Sequence, residues 1–176
     1  MNVATVKKRD IANGPGVRVS LFVSGCTHRC PGCFNEVAWD FNYGTPFDEG
    51  EERELLAALA PDYIQGLSLL GGEPFEPQNQ RVLCRFLKKV RETYPQKNVW
   101  CYSGYTLEQL SGAEPCRARC EVTDEMLACI DVLVDGRFVL EKKNIRLRFR
   151  GSENQRLIDM NKTRETGEIV LWDEKQ

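Results

Sequence analysis

Cys26, Cys30 and Cys33 stand in a C-x3-C-x2-C pattern within eight residues. Three thiols on so short a loop can turn their sulfurs to one side of a metal. That arrangement caps three corners of a cubane iron–sulfur cluster and leaves the fourth iron without a protein ligand. An open metal position is what a reacting centre keeps and a structural one closes. The same thiols could instead hold structural zinc, completed by His28 or by a distant cysteine such as Cys101. Zinc sites favour two paired knuckles, and the other closely spaced pair here is Cys116 and Cys120. With His28 the sole histidine, a histidine-rich site is excluded, as is any scheme needing two.

These residues need elements to position them. The chain has 176 residues and is 41% apolar, enough for one domain with a real core. A closed eight-unit (β/α) barrel usually needs about 250 residues, so a βα architecture here has to be partial. A formal charge of −2 argues against a protein devoted to nucleic acid phosphates. The N-terminus, MNVATVKKRD, lacks the apolar stretch of a signal peptide, and no apolar run approaches a membrane span, so a cytoplasmic protein is expected. In that reducing compartment, cysteines are ligands or redox groups rather than a disulfide framework.

Val17, Val19, Leu21 and Val23 alternate with other residues as in a strand that runs straight into the cysteine loop. The acidic run from Glu49 precedes Leu55, Leu56 and Leu59, predicting a helix. Residues 66–70 read as a buried strand ended by Gly71-Gly72. Val82, Leu83, Phe86, Leu87, Val90 and Tyr94 recur at helical spacing, with Cys84 off that stripe. Strands are predicted at 98–102 and 131–135, a helix start at 106–110, a loop at 111–123 and a helical turn or two at 124–130. Ile145, Leu147 and Phe149 alternate with Arg146, Arg148 and Arg150, predicting a strand with a basic face. The repeated alternation of strand and helix predicts an α/β fold, a partial, open (β/α) barrel with a mainly parallel sheet. Residues 1–159 form that domain. Residues 160–176 form a C-terminal tail, either packed back as a short strand or loosely attached.

The string CTHRCPGCFN (26–35), with NGPG (13–16) before it, resembles the radical S-adenosylmethionine (SAM) enzymes of the type that activate glycyl radical enzymes. The resemblance continues through GLSLLGGEPFEPQN (66–79), VWCYSGYT (99–106), DVLVDGRF (131–138) and LRFRGSENQRLID (147–159). It implies that Cys26, Cys30 and Cys33 hold a [4Fe-4S] cluster through which the catalysis runs. It implies also that Gly71, Gly72 and Glu73 receive the amino group of SAM. Two glycines at a strand end let a ligand approach the backbone, and carbonyls plus a carboxylate accept hydrogen bonds from an ammonium group. Without that context the same residues read as a tight turn before a helix-initiating proline. Gly32, Cys33 and Phe34 supply a second SAM contact, Phe34 as a packing ring or simply a core phenylalanine over the cluster. Tyr102, Ser103 and Gly104 end one strand and Asp135 and Arg137 another. The resemblance implies polar contacts to SAM there, from Ser103, Asp135 and Arg137. Arg137 stands where an Asp-x-Lys pattern has Lys, and a surface ion pair is the alternative reading of Asp135 and Arg137. His28 is expected beside the ligands or facing solvent.

The implied activity is reductive cleavage of SAM, with the resulting 5′-deoxyadenosyl radical taking a hydrogen atom from a glycine Cα of a partner. The implied partner is the large glycyl radical subunit of an anaerobic ribonucleotide reductase, with a one-electron donor such as flavodoxin or ferredoxin. Competing readings are an activase for another glycyl radical enzyme such as pyruvate formate-lyase, a radical SAM enzyme acting on a small molecule, and a noncatalytic zinc-binding module. Arg146, Arg148, Arg150 and the SENQR stretch (152–156) read as a solvated face and loop, or as a surface for the partner.

Overall fold

Four strand C-termini meet at one end of a single sheet, and the chain's local signals explain how they get there. The computed structural model describes residues 1–173. In chain order its elements are β1 (Asn2–Asp10), β2 (Val17–Val23), β3 (Thr45–Pro46), α1 (Glu49–Leu59), β4 (Ile64–Gly71), α2 (Pro77–Thr93), β5 (Asn98–Tyr102), α3 (Leu107–Ser111), α4 (Thr123–Ala128), β6 (Val132–Asp135), β7 (Arg156–Asp159) and α5 (Met160–Thr166). Asp48 caps α1 by accepting from Glu51 N, and Glu49, Glu51 and Glu52 sit at the positive end of its dipole. Pro77 opens α2, where its missing N–H costs nothing.

The seven strands lie in the order β3-β1-β2-β4-β5-β6-β7. β2, β4, β5 and β6 run parallel, in registers that pair Val23 with Gly71, Leu69 with Cys101, and Tyr102 with Val134. The flanking pairings β1–β2, β1–β3 and β6–β7 are antiparallel. The sheet is therefore mixed rather than mainly parallel, and it is open, because among the described residues β3 and β7 end it without pairing to each other. The charged segment VKKRD hid β1 from sequence reading, since an edge-flanking strand with an exposed face lacks the apolar run of a buried one.

One face of the parallel strands presents Val19, Leu21, Leu67, Leu69, Val99, Cys101 and Leu133 to the helices. There they pack with Leu55, Leu59, Leu83, Phe86, Leu87 and Val90 in the main core. Cys84 belongs to this core at 2% exposure, correcting its placement off the helix stripe. The opposite face is not solvated either. Arg18, Ser20 and Ser68 are fully buried on it, and Trp100, Val132, Val134 and Leu157 form a second core. The alternation in β2 thus marked two buried faces.

What covers that second face is a loop and a tail. Phe149 and Trp172 meet Trp100 edge-on, with ring centroids 5.4 and 5.0 Å away. The predicted strand over 145–150 is absent. The segment is irregular, flanked by a bridge between Lys143 and Ser152, because Phe149 is drawn onto the sheet face and Leu147 into the lining of the strand-end cavity instead of pairing along an edge. Residues 160–173 fold as α5 followed by one bridge from Leu171 to Ile158, and residues 174–176 of the expected tail lie outside the described residues.

Candidate active site at the strand ends

The cysteine loop leaves β2 and is stitched down on both sides. Gly25 N donates to Ala38 O at 2.8 Å and Cys26 N to Trp39 O at 3.2 Å, while Cys33 N turns back to Cys30 O at 3.1 Å. Thr27 N donates to the buried Glu76 carboxylate at 2.8 Å, and the Thr27 hydroxyl lies between Glu76 and the Arg117 guanidinium. The turn after β4 is joined to the same loop, with Gly72 N donating to Val23 O at 2.7 Å and Glu73 N to Gly25 O at 2.8 Å. A Cβ on Gly72 would stand 2.5 Å from Gly25 O and 2.8 Å from Ala38 O, both backbone atoms. The glycine is thus required by the neighbouring chain, whatever ligand the turn also receives.

Glu73, 1% exposed, ties three strand ends together. Its Oε1 accepts from Phe75 N at 2.8 Å and from the Ser103 hydroxyl at 3.0 Å, and its Oε2 accepts from Gly104 N at 2.7 Å. His28 Nε2 lies 3.1 Å from Glu73 Oε2 without the alignment of a hydrogen bond, and its ring packs on Tyr105 with centroids 4.4 Å apart. His28 is therefore tucked against the turn rather than facing solvent, its side chain 11% exposed.

These parts enclose a cavity of about 430 Å³. That size is in the range of small-molecule sites. Its lining includes Cys26, Cys30, Cys33, Gly32, Phe34, Gly71, Gly72, Glu73 and Ser103, so the structure brings nearly all the candidate residues together. Phe34 is 82% exposed at the rim and is no core phenylalanine. Asp135 and Arg137 do not line the cavity. Asp135 is fully buried, accepts from Leu107 N at 2.8 Å and pairs with Arg156 at 2.5 Å. Arg137 Nε instead donates to Cys30 Sγ at 3.4 Å, and its Nη2 donates to His28 O.

Two of the sulfurs accept N–H donors, Cys30 from Arg137 Nε and Cys33 from Asn35 N, each at 3.4 Å. Burial, followed by the charge of Glu73, pushes the Cys26 thiol up to about 12, so a metal has to displace its proton on binding. Among the described residues, no group of three or more His, Cys, Asp or Glu side chains is placed to hold a metal ion. The three thiols line the same cavity, and three thiols are the kind of donor set that an iron–sulfur cluster takes. Of the partners proposed for zinc, Cys101 faces the main core and Cys116 donates to Gln109 O, while His28 lines the same cavity as the three thiols.

Sequence reading missed Glu76 and Arg117. The acid of Glu76 follows the Gly-Gly-Glu turn by three residues, a signal available beforehand. The structure places Tyr102 in the cavity lining with a buried hydroxyl that has no hydrogen-bond partner among the described residues, and burial raises its pKa.

The chain, an open α/β sheet with three thiols at its strand ends, matches the protein-family model described as a 4Fe-4S single cluster domain over residues 12–158, which makes it an iron–sulfur domain. It is 44% identical over 157 residues to the anaerobic ribonucleoside-triphosphate reductase-activating protein of Pasteurella multocida (strain Pm70), covering 88% of this chain and 95% of that one. It is 43% identical over 148 residues to the protein of that name from Escherichia coli (strain K12), covering 83% and 90%. With its counterpart in Enterobacteria phage T4 it shares 38% over 159 residues, covering 89% and 93%. The chain belongs to the family of anaerobic ribonucleoside-triphosphate reductase-activating proteins, iron–sulfur activating enzymes.

Proposed function

We propose that this chain is a radical SAM activase whose client is the large glycyl radical subunit of an anaerobic ribonucleotide reductase. The observation that carries the reading is the convergence of Cys26, Cys30 and Cys33 with the Gly71–Glu73 turn on one cavity at the strand ends. The three thiols would hold a [4Fe-4S] cluster, which supplies one electron for reductive cleavage of SAM. Gly32 to Phe34, Gly71 to Glu73 and Ser103 bind and orient SAM. Glu73 has accepting capacity left on Oε2, while its contacts to Phe75, Ser103 and Gly104 hold it rigid. Burial of the cavity floor keeps water from a reactive radical, and the protein's part is orientation and exclusion.

The open sheet is read as a partial (β/α) barrel, supported by the parallel run β2-β4-β5-β6 with α1 and α2 in its crossovers. The missing strands leave a mouth bordered by the exposed Phe34 and Ile145, through which a glycine on a client loop enters. A one-electron donor such as flavodoxin or ferredoxin reduces the centre. No helix among the described residues is long and apolar enough to cross a membrane, which agrees with action in the cytoplasm.

Anaerobic reconstitution tests the reading. Expected are about four iron and four sulfide per chain, dithionite-dependent cleavage of SAM, and a glycyl radical doublet in electron paramagnetic resonance (EPR) once a ribonucleotide reductase is added. Stoichiometric zinc without SAM turnover would reject the enzyme. A radical on pyruvate formate-lyase but on no ribonucleotide reductase would reject the client.

A further inference from the structure

We infer that Arg137 is a positioning residue of the iron–sulfur centre, held by the 152–156 segment so that it donates to the Cys30 sulfur and raises the cluster's reduction potential. The inference rests on the cluster reading above and goes beyond it. Arg137 is absent from the cavity lining, and its guanidinium holds the ligand loop, Nε donating to Cys30 Sγ at 3.4 Å and Nη2 to His28 O.

Its placement is built by five consecutive residues, SENQR. The fully buried Ser152 accepts from Val139 N at 3.2 Å, and Glu153 N donates to Lys142 O at 2.9 Å. Asn154 Nδ2 donates to Arg137 O at 2.8 Å and Gln155 Nε2 to Gly136 O at 3.0 Å. Arg156 anchors Asp135 at 2.5 Å and, through a second pair of donors, Glu108 at 2.6 Å. The segment that sequence alone reads as a solvated loop therefore brackets residues 135–142 from the antiparallel side of β6. It explains why an arginine at the end of β6 turns to the sulfur instead of the cavity: its backbone carbonyl and that of Gly136 are both held by side-chain amides.

The electrostatic consequence follows from the sign of the electron. Reduction adds one negative charge to the cluster, and a cation with an N–H aimed at a ligand sulfur stabilises the reduced form more than the oxidised one. Hydrogen bonds to the sulfurs and net local charge are established levers on such potentials. Arg137 should make the cluster easier to reduce, which the one-electron donor needs.

The test is a dithionite potentiometric titration of the reconstituted full-length chain without SAM, followed by the EPR signal of the reduced cluster, with iron content measured in parallel. For Arg137→Met the reduction equilibrium should fall at least tenfold, a 59 mV shift to more negative potential for a one-electron couple. Arg137→Lys keeps the charge without the fork and should fall less. Gln155→Leu, which leaves the guanidinium intact and frees the backbone it holds, should shift in the same direction. Wild-type potential in Arg137→Met at full iron loading overturns the inference. If that variant does not load iron, unchanged potentials in Arg137→Lys and Gln155→Leu overturn it. A wild-type chain that takes up no iron would instead overturn the cluster reading itself.

Discussion

Glu76 accepts a hydrogen bond from Thr27 N at 2.8 Å across 49 residues of sequence, from just ahead of α2 to the middle of the ligand loop. The carboxylate is 5% exposed, and the Thr27 hydroxyl turns to it as well. A loop with little regular structure is thus pinned between its first two cysteines by one buried acid.

Glu76→Ala should remove that pin. Hydrogen bonds to charged groups contribute about 1.5–3 kcal/mol, and Thr27 N loses its partner. We expect the urea midpoint of the metal-free chain to fall by that order and iron retention to fall with it. Glu76→Gln, still able to accept from Thr27 N, should recover most of both. Equal iron retention in all three chains would show that the loop holds itself.

Gly104→Ala tests the packing of His28. A Cβ there would stand 2.6 Å from the imidazole Cδ2 and Nε2, and the ring is backed by Tyr105. Overpacking of this kind costs about 1–3 kcal/mol. In a His28→Ala background the penalty should shrink, and a double-mutant cycle on denaturation midpoints reads the coupling. Strict additivity would mean that the two residues do not press on each other in solution.

Cys101→Ser should separate structural from ligand cysteines. Cys101 is fully buried, and burial holds its thiol well above the ordinary range, so it should resist thiol reagents in the native chain. A hydroxyl in that apolar site costs about 1–3 kcal/mol while iron content stays at the wild-type level. Cys30→Ser should do the reverse, lowering iron with a smaller effect on the midpoint. Loss of iron in Cys101→Ser without a stability change would reassign it.

Acid stability should report the Glu108–Arg156 pair. The hydrogen bond from Arg156, the largest cause, holds the Glu108 carboxyl down to about 2 from its ordinary 4.5. A carboxyl depressed in the folded state contributes stability above its unfolded value, and loses it as the pH falls from about 4.5 toward 2. The pair is about one-third exposed, with side chains at 32% and 34%, so solvent screening limits its contribution to about 1 kcal/mol. Glu108→Gln should therefore be less stable than wild type at pH 7 by about that amount. The two urea midpoints should converge below pH 3, and parallel curves over the whole range would reject the assignment.

Much of this molecule was legible in the chain itself. The spacing of Cys26, Cys30 and Cys33, the acidic start of α1 and the apolar stripe of α2 are local patterns, each within one loop or a few helical turns. Local patterns of this kind survive in a sequence because their physics is short-ranged. The βα alternation likewise placed β4, β5 and β6, since buried parallel strands are unbroken apolar runs.

Tertiary structure alone decided what those pieces face. Leu147 and Phe149 alternate with arginines as a strand would, yet Phe149 caps Trp100, because that sheet face needed apolar cover and no helix supplied it, and Leu147 lines the strand-end cavity. Asp135 and Arg137 end a strand beside the cavity, yet Arg156 and the amides of Asn154 and Gln155 turn them away from it. Glu76 became part of the ligand loop through a partner 49 residues distant. A residue's type and spacing determine the chemistry it can do. Which atom receives it depends on contacts between segments far apart in the chain, and no local period encodes those.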